Sequence, residues 1–97
     1  MSNQIPCEDQ RLLRIFCDYG AEWPLWECGM QVPEDYGLSD TLCARLSQWN
    51  TQFQEHMHWD HGWRMGFDVR RWTQTGHRLA KDVQREVGPS ITVRYWQ

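Results

Sequence analysis

Ninety-seven residues with a formal net charge of −3 set bounds before any motif is read. A chain of that length supports one domain with one core, burying roughly 60–70% of the surface exposed when unfolded. The mild acidity argues against a nucleic-acid binder, and no apolar run approaches the roughly 18 residues of a membrane helix.

The first ten residues, MSNQIPCEDQ, are polar, carry Pro6 and lack the basic start and apolar region of a signal peptide. They are predicted to be a flexible arm. Residues 1–97, this arm included, are expected to form a single domain. Cys7, Cys17, Cys28 and Cys43 fit neither a C-x-x-C pair nor a zinc-ribbon spacing. Without a secretion signal they read as four reduced thiols of a cytoplasmic protein.

Leu12 to Cys17 is apolar except for Arg14 and ends in Asp18-Tyr19-Gly20. A short apolar run closed by a turn signal predicts a buried strand. Residues 21–38 form an aromatic, acidic loop: Pro24, Gly29, Pro33 and Gly37 forbid a long helix, while Trp23, Leu25 and Trp26 are too apolar to float free. The loop should therefore lie back on the core, with part of its Trp surface buried.

Ser39 is a natural N-cap, with Asp40 at the positive end of the helix dipole and Leu38 placed to staple against Cys43. Leu42, Leu46, Trp49, Phe53 and Met57 then recur in steps of three and four, one stripe of a first helix that fades near His56 to His58. A second stripe, Val69, Trp72, Gly76, Leu79, Val83 and Val87, predicts a second helix capped by Asp68. Gly76 on that stripe costs about 1 kcal/mol against Ala and signals close approach of the first helix or the sheet. Gly88-Pro89 ends the helix, with Gly88 expected as a left-handed cap. Ile91, Val93 and Tyr95 alternate with Thr92, Arg94 and Trp96, a strand with one packed face.

The fold class that follows is α/β: a compact β-α-α-β domain, its small sheet covered by two antiparallel amphipathic helices. The long loop allows the two strands to run parallel. Two strands alone are marginal, so the helices must cover the sheet, or a third short strand or a partner must add to it.

Charge is unevenly distributed. Between Arg14 and Arg45 there is no Lys or Arg, while Asp18, Glu22, Glu27, Glu34, Asp35 and Asp40 fall in the gap. Residues 1–48 carry a net −5 and residues 49–97 a net +2. Such polarity suits a carboxylate surface that steers a basic partner; it equally describes a solvated acidic loop.

His56-Met57-His58-Trp59-Asp60-His61 spells H-x-H-x-D-H, the ligand string of metallo-β-lactamase-like hydrolases. That fold resembles a four-layer sandwich about twice this length, and after His61 only His77, Asp68 and Asp82 remain as His or Asp ligands. No metal site and no cofactor are expected. A G-x-S-x-G elbow and a phosphate-binding Gly-rich loop are also lacking, so no catalytic residue is assigned.

RIFCDYG, then Pro24-Leu25-Trp26, then LSDTLCARLSQWNTQF, then GHRLAKDVQREVG with a closing VRY, resembles the small bacterial immunity proteins. These are the cognate inhibitors of polymorphic toxins, including those of contact-dependent growth inhibition. The likeness covers about residues 12–95; the histidine string is no part of it. It implies a cytoplasmic, non-enzymatic protein that binds the C-terminal domain of one toxin, often a nuclease with a basic cleft, and touches neither nucleic acid nor membrane itself. The partner-binding residues expected on that basis are Asp18, Glu22, Glu27, Glu34, Asp35 and Asp40, with an exposed Trp23 or Trp26 as anchor. A small metal-dependent hydrolase centred on the histidine string, or an accessory domain dimerising through its Trp residues, are the alternatives.

Overall fold

Along Leu12 to Cys17 alternate side chains point to opposite faces, and this period decides the layering. Leu13, Ile15 and Cys17 face the helices and are buried, while Leu12, Arg14 and Phe16 face away and are half-buried. The computed structural model describes residues 11–96, so the arm predicted over residues 1–10 lies outside the described residues. The order of elements is β1 (Leu12–Ile15), β2 (Leu25–Trp26), a 3-10 helix (Pro33–Tyr36), α1 (Asp40–His56), β3 (Met57–His58), β4 (Gly62–Trp63), α2 (Val69–Val87) and β5 (Thr92–Tyr95).

The sheet has the order β2-β1-β5. β1 and β5 run parallel, Leu12 opposite Thr92 and Ile15 opposite Tyr95, as the long connection allowed. β2 is the third strand that two strands needed, antiparallel to β1 with Ile15 opposite Leu25. Two residues suffice because Trp26 also bridges to Met30, and Gln31 N–H donates back to Leu25.

Both helices begin where the caps predicted. Ser39 Oγ accepts from Leu42 N–H, and Asp68 Oδ1 from Arg71 N–H. The stripes face one another and the sheet: Leu46, Leu79 and Val83 are fully buried, with Leu42, Trp49, Phe53 and Trp72 nearly so. Each such side chain contributes about 1.5–3 kcal/mol by leaving water. Contacts pair the start of α1 with the end of α2 (Ser39 with Glu86) and the later part of α1 with the start of α2 (Trp49 with Trp72), so the helices are antiparallel. At Gly76 an added Cβ would lie 2.5 Å from both Trp49 Cζ2 and Tyr95 Cε1. Only glycine lets α2 lie this close to α1 and to β5 at once.

Three details depart from expectation. Gly88 ends α2 at φ 82° and ψ −175°, extended in ψ rather than a left-handed cap. Cys28 is disulfide-bonded, which corrects the reading of four reduced thiols. The histidine string begins at the end of α1, which closes at His56 as expected, and runs on into a small hairpin that was not expected, β3 pairing with β4.

Candidate interaction surface

The acidic residues are positioned by α1, at its two ends. Near its C-terminal end, Gln54 donates Nε2 to the Asp18 carbonyl at 2.8 Å and accepts Gly20 N–H at 2.9 Å. Asn50, buried four residues earlier, donates Nδ2 to the carbonyls of Ala21 and Glu22 at 2.8 and 3.0 Å. These two amides fix a turn that leaves the Asp18 and Glu22 side chains exposed.

At the N-terminal end of α1 a second group forms. Glu34 and Asp35 lie exposed in the 3-10 helix, and Asp40 opens α1. Glu86 comes from the last turn of α2, its carboxylate accepting Ser39 N–H at 2.7 Å and Ser39 Oγ–H at 2.8 Å. The Cys43 thiol among them is pushed up by burial first, then by Asp40, Glu34 and Glu86. Glu86 was missed by sequence reasoning; only the antiparallel pairing of the helices brings it here. At 1.5 Å per residue, Ser39 and Gln54 stand about 22 Å apart along α1, so the acids form two clusters rather than one.

Glu27 belongs to neither. It is 9% exposed, takes both Arg11 Nε and Nη2 at 2.8 Å, and accepts Tyr36 O–H at 2.6 Å. The Arg11 fork holds its carboxyl below the ordinary range, while burial and then Glu27 push the Tyr36 phenol up. The aromatic anchors are less open than expected. Trp23 is half-buried against the core, and Trp26 is half-buried, stacked on Phe16 at 4.8 Å and donating Nε1–H to the Phe16 carbonyl. The widely exposed rings are instead Trp59, Trp96 and Tyr19.

In the hairpin, the His58 and His61 rings lie 4.5 Å apart, and His61 Nε2 is 3.4 Å from Asp60. His56 stacks on Phe67 instead of joining them. Among the described residues no three His, Cys, Asp or Glu side chains are grouped to hold a metal ion. Among the described residues no helix is long and apolar enough to cross a membrane.

The fold is a small α/β domain with two helices packed on a mixed sheet, and its sequence is of a non-enzymatic immunity class. Residues 11–97 match the family described as Serratia CdiI immunity protein-like, and the chain belongs to that family. CdiI proteins bind the cognate CdiA toxin domain of a contact-dependent growth inhibition system, neutralise it and act inside the cell. No curated protein matches the chain.

Proposed function

We propose that the chain neutralises a cognate toxin nuclease in the cytoplasm by setting Asp18, Glu22, Glu34, Asp35 and Asp40 against its basic cleft. One observation carries this reading: all five carboxylates are exposed, and none is in an ion pair among the described residues. A nuclease cleft is shaped to hold phosphates, and carboxylates on a rigid scaffold occupy the same cationic subsites without offering a bond to cleave. Unpaired surface charge also steers a basic partner and fixes its register. The half-buried ring of Trp23 lies on the loop that joins the two acidic groups and supplies apolar contact beside them. Glu27 supports the loop from within through Arg11 and Tyr36.

The test is the quadruple variant Glu22→Lys, Glu34→Lys, Asp35→Lys and Asp40→Lys. Glu27 is left intact, because a lysine there would sit against Arg11. Thermal unfolding should stay near wild type, since exposed charges matter to stability by less than about 0.5 kcal/mol each. Association with the toxin domain should slow and lose its salt dependence. Protection of toxin-challenged cells equal to wild type would make the acids a solvated face only.

A further inference from the structure

The helices cover one face of the sheet, and among the described residues no element covers the other. Trp26, Arg14 and Arg94 form one row across its three strands, with Arg14 opposite both neighbours. Arg14 and Arg94 are thus a directly opposed cross-strand pair on one face, their strands about 4.8 Å apart. Neither is in an ion pair among the described residues. Arg14 Nε is also buried with no hydrogen-bond partner. Its guanidinium carbon lies 4.7 Å from the centroid of the Trp96 ring, which is itself 58% exposed. Like charges facing each other on a sheet are destabilising, and a buried donor left unbonded costs more. The arrangement is unfavourable as bare surface. A carboxylate bound at the pair would offset the like-charge contact, since a guanidinium's planar fork takes it in bidentate fashion.

We propose that this open sheet face is a second docking surface, where Arg14 and Arg94 grip a carboxylate-bearing segment of the cognate toxin domain and Trp96 packs beside it. The proposal rests on the chain being a toxin-binding immunity protein, but not on the acidic surface. Positive charge continues around the edge of β5, where Lys81 and Arg94 line a groove of about 500 Å³ against α2. A second copy of the chain fits poorly, because a two-fold interface would set each arginine pair against its duplicate. A nucleic acid fits poorly as well, since it calls for a longer basic stripe. The stacked pair of Phe16 and Trp26, with rings 4.8 Å apart, gives the face a rigid floor. A toxin domain that is basic at one site and acidic at another would be read at both, which favours the cognate toxin over its relatives.

The experiment is calorimetric titration of the full chain with the toxin domain encoded beside it. Arg94→Glu and Trp96→Ala are each expected to weaken binding at least about 30-fold, as loss of a buried charge partner or an aromatic anchor does. Arg94→Lys should recover part of the loss, and thermal unfolding should stay near wild type. Affinities within about twofold of wild type in both variants overturn the proposal, including where the quadruple acidic variant has lost binding. Weakening in both with the quadruple variant unaffected upholds this face and removes the acidic one. Failure of the wild-type chain to bind the toxin domain removes the family-level reading, and this proposal with it. Should Arg94→Glu unfold, Arg94→Gln with Trp96→Ala makes the same comparison. A dimer that Arg94→Glu dissociates, or oligonucleotide binding that it abolishes, with toxin affinity unchanged in either case, assigns the face elsewhere and overturns the proposal.

Discussion

Trp49 and Trp72 hold each other: each indole N–H donates to the other's backbone carbonyl, at 2.8 and 3.1 Å, while the rings stack 4.5 Å apart. The two residues lie on different helices, so this reciprocal pair fixes both the spacing and the register of α1 against α2. It also satisfies two indole donors that would otherwise be buried without partners. Trp49→Phe and Trp72→Phe should each destabilise by roughly 1–3 kcal/mol, from a lost hydrogen bond and a small void. Because either change breaks the shared stack, urea unfolding of the double variant should show less than the sum of the two.

Gly76→Ala gives a test whose sign is informative. On helix propensity alone the change should stabilise by about 1 kcal/mol. The added methyl would meet Trp49 and Tyr95, both ring atoms held in the core. Net destabilisation of roughly 1–3 kcal/mol is expected, as for overpacked cores. A rise in the urea midpoint would mean that α2 stands further from α1 and β5.

Leu46→Ala and Leu79→Ala remove side chains that are 0% exposed on the facing stripes. Each should cost roughly 2–5 kcal/mol in chemical denaturation. A change below about 0.5 kcal/mol at either position would place it on a solvent or partner face.

The Glu27 carboxyl is held below its ordinary value of 4.5, first by the hydrogen bonds from Arg11. A carboxylate depressed in the folded state adds stability that is present above its unfolded pKa and lost as pH falls through the folded one. Glu27→Gln should therefore be less stable than wild type at neutral pH, and the gap should close on acidification below about pH 4.5. Melting temperatures of the two proteins measured across that range check it. A gap that persists at low pH would assign the loss to shape instead of charge.

The strands and helices that carry a period were legible in the sequence. Leu12 to Cys17 is a short apolar run closed by a turn, Ile91 to Trp96 alternates, and the two helices show apolar stripes behind Ser39 and Asp68, so β1, β5, α1 and α2 follow from pattern and caps. Pairs too short for any period were not. Leu25–Trp26 and the hairpin of Met57–His58 with Gly62–Trp63 depend on neighbours distant in sequence. The same gap explains the reading of Glu27 as a displayed acid. Its partner Arg11 is 16 residues away, and only the seating of β2 on β1 brings them together. Glu86 joins Asp40 for an equally non-local reason. Positions of exposed acids were legible, whereas their division between the two ends of α1 was not, because charge counting along a chain carries no distances.

The parallel seating of β1 against β5 has a kinetic consequence. Leu12 meets Thr92, so the strand that emerges first from the ribosome waits for one made 80 residues later. The intervening helices can pair while synthesis continues, but the sheet cannot close until β5 is released. Such long-range closure is slow relative to local helix pairing. During that interval Leu13 and Ile15 have a helix layer and no strand on the β5 side, the state in which a nascent chain is most exposed to protease and to misassembly.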